Sequence, residues 1–432
     1  MLDRTHLSAL AHSVPDRPRI LYFSRIDFPS AKANSIQTLN TCYEMARAGA
    51  DVLLVVRKLL QSRRDCFAYY GLPEHPRLRL VSLSLPLESE FNDWRGKYFS
   101  FYLHAFLRRH ARGTTWLVTR DPAGLELLQQ IRSLRHAPPL RCLFEVHKLS
   151  FLTKASHQVE RGRSLDDPEV RDKVERRRRL EAEVYAFVDG LVCTSSGALH
   201  LLDEHFPDHA AAGVVPNGTR IPCDTAGRPV VAATLDDARR DLDLLYVGQL
   251  YPWKGVDGLV RALGHLPGRR LTLVGGNEAA DVERLRKLAA GLGVAERIEF
   301  VGQVPPHAVA SFLDRARVGV VPLPQEGFVE AAHFTSPLKI FELMRSGVPI
   351  VATDLPSVRE LVRHGEHAVL VRPDSPEALA GGIDRLLRDR ELAARLVRAA
   401  AAQVLQFTWE ARARRVLDFA ASLQAANQPS GA

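Results

Sequence analysis

Short, uninterrupted apolar runs alternate along the chain with longer stretches whose apolar residues recur at helical spacing. Runs at Arg19 to Ser24 (RILYFS), Asp51 to Val56, Trp116 to Thr119, Arg141 to Val146 and Gly190 to Thr194 read as buried strands, each followed by a helix or loop. A second set begins at Leu242 to Val247 and continues at Leu271 to Gly275, Arg297 to Gly302, Val318 to Leu323, Val348 to Thr353 and Ala368 to Val371. Such alternation predicts parallel sheets covered by helices, the α/β class. The pattern breaks after VVPNGTRIP (Val214 to Pro222), where a Thr-, Ala-, Pro- and Asp-rich stretch runs to about Asp241 without an element. Two Rossmann-like doubly wound domains facing across a cleft are therefore expected, with residues 1–216 as the first, 217–240 as linker and 241–407 as the second. Residues 408–432 hold a last helix and tail, expected to be free to pack back on the first domain.

Composition changes this picture little. At 432 residues the chain exceeds one ordinary core, and its 46% hydrophobic and 25% charged content is that of a globular protein. Five widely spaced cysteines with no CxxC pair fit a reducing cytoplasm. No signal-like or membrane-length apolar run is seen, so a soluble or peripheral protein is expected. The net charge of +8 calls for an anionic partner but does not choose among nucleotides, phospholipid headgroups and nucleic acid. Phe91 to Gly113, with Trp94, Tyr98, Phe101 and Tyr102 beside Arg108, Arg109 and Arg112, suits a helix on the inner face of an anionic membrane. Its plainer reading is a first-domain helix with core aromatics and solvated arginines. The basic stretch Arg171 to Phe187 is interspersed with acids and reads as an exposed helix face, so no nucleic-acid module is expected.

The candidate chemistry sits where strands give way to helices. In YVGQLYPWKG (Tyr246 to Gly255) a strand ends at Gly248 and Gln249, and a short loop brings Lys254 to the start of a helix, a junction suited to phosphate. In HFTSPLKIFELMRSGVPIVAT (His333 to Thr353), Ser336 is expected as N-cap with Pro337 and Leu338 in the first turn, presenting free N–H groups to a diphosphate. Glu342, six residues on, is placed to accept hydrogen bonds from a ribose diol. Alone, Ser336 would be a plain cap and Glu342 a solvated acid; their combination with Lys254 favours a binding site. In the first domain, Asn34 and Ser35 read as an N-cap region that faces the cleft or simply starts a helix, and His147 follows the strand at EVHK. Asp241 and Asp243 precede a strand instead of following one, and no metal cluster is evident, so neither a metal nor a covalent cofactor is expected. The first strand leads into SRIDFPSAKANS without a glycine, which argues against a nicotinamide-dependent oxidoreductase.

On YVGQLYPWKG, LVGG, FVGQVP and the block from Ser336 to Leu361, the second half resembles family 4 glycosyltransferases, retaining enzymes of the GT-B fold that use nucleotide-sugar donors. TSSGALHLL, VVPNGTRIP and EVHK extend the likeness into the first half. The resemblance implies a nucleotide-diphosphate sugar as co-substrate, a saccharide or lipid-linked acceptor, a diphosphate held near Lys254, Gly248, Gln249 and Ser336, and a donor-sugar contact at His147. It also implies transfer with retention in cell-surface polysaccharide or glycolipid synthesis, with closure about Pro216 to Gly218. Two positions depart from the family. Gln249 stands where an arginine is common, and Phe334 stands where the first of two glutamates is common, with Glu326, Glu330 and His333 as conceivable substitutes. These departures leave open a nucleotide-sugar binding protein with little turnover.

Overall fold

The computed structural model describes residues 18–426 except 83–114, 122–139 and the single positions 161, 227, 236, 277, 329 and 335. The Phe91 to Gly113 stretch therefore lies outside the described residues.

Seven parallel strands form the first sheet: β1 (Arg19–Phe28), β2 (Asp51–Leu59), β3 (Leu78–Ser82), β4 (Thr115–Thr119), β5 (Leu140–Val146), β6 (Gly190–Cys193) and β7 (Ala212–Val214). Their spatial order is β3-β2-β1-β4-β5-β6-β7. The second sheet comprises β8 (Leu242–Val247), β9 (Leu271–Val274), β10 (Ile298–Gly302), β11 (Ala316–Val321), β12 (Ile350–Thr353) and β13 (Val369–Val371), in the order β10-β9-β8-β11-β12-β13. Helices cover both faces of each sheet, so central strands such as β4 and β12 are buried along their whole length. In each sheet the order reverses once, beside β1 in the first and beside β8 in the second. Ligand crevices of open parallel sheets form at that reversal, beyond the carboxyl ends of the strands.

Three sequence expectations need correction here. β3 and β7 were not foreseen; β3 is a five-residue strand with alternating burial that pairs with β2, and β7 has only three residues. β1 does not stop at Ser24 but continues through a bulge to Phe28, where Asp27 and Phe28 pair with Lys58 and Leu59. The basic helix Pro168–Phe187 does show the expected exposed face, but its Glu181 is turned inward and accepts the backbone N–H groups of Ser150 (2.7 Å) and Phe151 (3.0 Å), which open the preceding helix.

The last helix, Trp409–Ala426, leaves the second sheet and packs on the first-domain helix Ala33–Arg47. Ala413, Val416 and Ala420 are buried in the same core as Tyr22, Leu54 and Trp116. Its Arg412, 1% exposed, reaches the strand-to-linker junction and donates to the carbonyls of Val215 (2.5 Å) and Pro216 (3.2 Å) and to Glu145 Oε1 (2.6 Å). The junction is pinned again at Thr219, whose backbone pairs with Phe407 and Trp409.

Candidate functional site

β8 ends at Val247 because Gly248 turns the chain with a φ of +138°, a conformation open to glycine. The neighbouring strand end must also be a glycine: a Cβ on Gly275 would lie 2.3 Å from the Gly248 carbonyl oxygen. The chain then makes a 3₁₀ turn, Pro252–Lys254, and enters the Val256–Gly264 helix through left-handed Gly255. Lys254 Nζ stands 3.5 Å from the centre of the Trp253 ring, a cation–π contact that holds the ammonium at the cleft.

The Glu342 helix runs from Leu338 to Arg345, later than expected. Ser336 is not its cap. Its Oγ accepts the backbone N–H of Asn217 at 3.2 Å, and Asn217 Nδ2 donates to the Ser336 carbonyl at 3.1 Å, so the hydroxyl is engaged in tying the linker to the second domain. Pro337 flanks the helix without a side-chain cap, and its carbonyl accepts the Ile340 N–H at 3.0 Å, so Leu338 and Lys339 supply the first-turn N–H groups without an intrahelical acceptor. Glu342, partly exposed, lines the same cleft; burial raises its carboxyl above the usual carboxylate range, against the pull of Arg345 and Lys339. Lys339, one turn earlier, is 9% exposed, and its Nζ lies 3.8 Å from the centre of the Tyr246 ring.

The facing wall comes from the first domain. The helix Ala33–Arg47 is flanked by Lys32, whose carbonyl takes the N–H groups of Ser35 (3.0 Å) and Ile36 (3.2 Å). Asn34 and Ser35 are thus first-turn residues, not the cap: Asn34 Oδ1 takes the Ser35 N–H at 2.8 Å, and Ser35 is buried. Ala31, Ala33 and Ile36 line the main cleft, while Asn34 lines an adjoining first-domain pocket.

His147 stands between the two hollows with Arg120 and Lys148. Its Nε2 lies 3.2 Å from Glu145 Oε2, and the carboxylate accepts, which leaves Nδ1 as acceptor in the neutral ring. Burial, then the Arg120 charge, pushes the imidazole down to about 4, although Glu145 opposes this. Burial by itself would raise the Glu145 carboxyl, but the Arg412 charge and the His147 and Tyr22 hydrogen bonds hold it well below the usual carboxylate range. Tyr22 Oη (2.6 Å) and Gln37 Nε2 (3.0 Å) complete its partners.

Of the residues expected from sequence, the structure brings Lys254, Glu342, His147, Gly248, Gln249, Ser336, Pro337 and Leu338 to one cleft of about 420 Å³, a volume ordinary for a small-molecule site. Gln249 Nε2 donates to Gln303 Oε1 at 3.1 Å. Phe334 is 2% exposed and packs into the first-domain core beside Ala198 and Leu202, an apolar tie between the domains. Two of its conceivable substitutes are elsewhere. Glu326 lines a separate pocket beside Asp374, and His333 lies against the start of the Ser196–His205 helix, its carbonyl accepting the Ser195 hydroxyl at 2.8 Å. Asp241 is paired with Arg315, consistent with a structural role. Among the described residues, no group of three His, Cys, Asp or Glu side chains is arranged to hold a metal ion. Sequence reasoning missed Lys339, Arg412 and Glu145, whose placements depend on burial; a lysine on the same face as Glu342 was the one available signal for the first.

Residues 235–403 match the family model described as glycosyl transferases group 1. That match spans the second domain. Over 250 residues this chain is 37% identical to a D-inositol 3-phosphate glycosyltransferase of Acidothermus cellulolyticus, a match covering 53% of this chain and 52% of that protein. A protein of the same name from Frankia alni is 32% identical over 250 residues, covering 55% and 60%. The chain thus spans about half the length of the relatives it matches. Among solved structures, sucrose-phosphate synthase from Thermosynechococcus elongatus superposes with a TM-score of 0.72 at 23% identity, covering 95% of this chain and all of that one. Anabaena HepE, in complex with UDP and glucose, superposes at 0.66 and 16% identity, covering 94% and 100%. The fold is GT-B, with the glycosyl transferase domain on one side of the cleft and the His147 wall on the other.

Proposed function

We propose that this protein transfers a sugar from a nucleotide-diphosphate donor to an acceptor hydroxyl with retention at the anomeric carbon. The observation that carries the reading is the meeting of two strand-to-helix turns, Gly248 to Lys254 and Ser30 to Ala33, at one cleft that also holds Glu342 and His147. In this reading the ribose hydroxyls donate to Glu342, and the diphosphate lies between Lys254 and the N–H groups at the start of the Leu338 helix. His147 meets the donor sugar, and the acceptor enters through the adjoining pocket at Arg120 and Lys148. As the bond from the anomeric carbon to the diphosphate oxygen breaks, negative charge grows on the leaving group, where Lys254 and the helix N–H groups stabilise it. The acceptor oxygen bonds to the anomeric carbon from the same face, and its proton passes to a leaving phosphate oxygen.

Neighbours described as a glycosyltransferase involved in lipopolysaccharide biosynthesis and as an outer-core galactosyltransferase support a saccharide or lipid-linked acceptor. Five free cysteines, four of them buried, fit a cytoplasmic site of action, peripheral to the membrane where the acceptor is lipid-linked. The test is a thermal-shift panel with UDP, GDP, ADP and NAD at matched concentrations, followed by NMR of the product formed from the matching nucleotide sugar. A selective rise with one nucleoside diphosphate and an anomeric coupling equal to the donor's are expected. A rise with NAD alone overturns the reading.

A further inference from the structure

Lys339 has no role in the donor contacts described so far, yet its position is costly. Its Nζ is buried and has no hydrogen-bond partner. The Tyr246 ring lies beneath it, and that ring is fixed because Tyr246 Oη donates to the Gln249 carbonyl at 2.6 Å. A Cβ built on Gly248 would come within 3.4 Å of the ammonium, so the charge rests directly against the turn that opens the site. The charged groups facing it are Lys254 from that turn and Glu342 from its own helix. Burial pushes the Lys339 ammonium well below the usual lysine range, Lys254 pushes it further, and Glu342 opposes both. A cation–π contact compensates a buried ammonium only in part, since its N–H donors remain unmatched. Two more buried polar atoms of the same cleft lack partners, Asn217 Oδ1 and Gln249 Oε1. Gln249 brings no charge, so Lys254 and Lys339 are the two lysines of the second-domain wall among the described residues.

We propose that Lys339 is a phosphoryl-binding residue which, with Lys254, flanks the diphosphate of a nucleotide at the Gly248 turn and makes the site prefer a diphosphate over a monophosphate. The inference rests on the donor-site reading above. Incoming phosphoryl oxygens supply the acceptors that the fold withholds, and the ammonium needs only side-chain rotation to meet them. The Tyr246 ring serves as the resting place of the unliganded charge.

The experiment compares the wild type with Lys339→Met and Lys339→Gln, measuring melting temperature without ligand and calorimetric affinity for UDP, GDP, ADP and their monophosphates. The expected result is an unliganded melting temperature at or above the wild type's, at least tenfold weaker binding of the preferred diphosphate, and less than threefold change for its monophosphate. Diphosphate binding retained within twofold overturns the inference alone. A lower melting temperature with equal losses for both nucleotides makes Lys339 a structural strut and also overturns it. Lys339→Gln carries the test if Lys339→Met does not fold. A wild type that binds none of the three diphosphates overturns the donor-site reading and this inference with it.

Discussion

On the first-domain wall the Glu145 carboxylate is fully out of solvent and accepts hydrogen bonds from Tyr22, Gln37 and Arg412 with His147 at 3.2 Å, whereas on the opposite wall the buried Lys339 ammonium has no hydrogen-bond partner. Glu145 lines the adjoining first-domain pocket and Lys339 the main cleft, and both were desolvated when the chain folded. A buried charge that the fold itself satisfies belongs to the architecture: Glu145 and Arg412 join the sheet, the last helix and the linker into one unit and hold the His147 ring. A buried charge that the fold leaves unsatisfied is a standing cost, which at Lys339 the proposed phosphoryl ligand would offset. On the reading proposed above, one cleft carries a rigid positioning wall and a wall kept ready for a ligand.

The contrast breaks most severely at Arg412. Replacement by Met leaves Glu145 buried without its cation and is expected to cost on the order of 3–5 kcal/mol, read as a large fall in melting temperature. Combining it with Glu145→Gln should recover much of that loss; a single variant as stable as the wild type would show that the ion pair is dispensable. Next, Lys254→Ala should lower turnover of the preferred nucleotide sugar by about a hundredfold or more, since on the proposed function it removes the charge that stabilises the leaving group. Its melting temperature should hardly move, and a drop as large as that of Arg412→Met would erase the distinction between the walls.

Acid sharpens the comparison further. His147 is depressed from its ordinary value near 6.5 to about 4. Between those limits the unfolded chain binds a proton that the folded chain does not, so stability falls as pH drops below 6.5, by on the order of 2–3 kcal/mol from pH 7 to 4.5. Below about 4.5 the depressed Glu145 adds to the loss, because the unfolded carboxylate takes up a proton that the folded one refuses. His147→Gln should flatten melting temperature against pH between 6.5 and 4.5 while leaving the steeper fall at lower pH. The smallest effect is expected at Glu342. Glu342→Gln removes a charged acceptor and should weaken nucleoside diphosphate binding about tenfold, with little change in turnover at saturation.

The fold was legible wherever burial on both faces writes a continuous apolar run, as in β2, β5 and β12. It was not legible at β7, whose three residues carry no periodicity, or in the tail of β1, where Arg25 and Ile26 form a bulge that looks like a loop and the strand resumes only because Asp27 and Phe28 pair with β2. Local rules brought Gly248, Lys254 and Glu342 forward as lining residues of one cleft, because a strand end, a turn and a helix face are encoded within a few residues. The same rules misassigned Ser336. As a serine before a proline it has the profile of a cap, but Asn217, more than a hundred positions away, occupies its hydroxyl. Arg412 was unreadable, and Lys339 nearly so, for a related reason. Each is one basic residue in a helix that holds others, and only tertiary burial separates them from solvated neighbours such as Arg414.

The return of the Trp409–Ala426 helix bears on how the protein is made. A chain emerging from the ribosome completes its domains from the N-terminal end onward, each folding as its residues appear. Here the first sheet is synthesised early, but one face of its core waits for Ala413, Val416 and Ala420, and the Glu145 carboxylate waits for Arg412. The domain begun first is therefore the last to be finished. While the second domain is still being translated, the nascent first domain holds an uncovered apolar face and an uncompensated buried acid, and emergence of the Trp409–Ala426 helix closes both together.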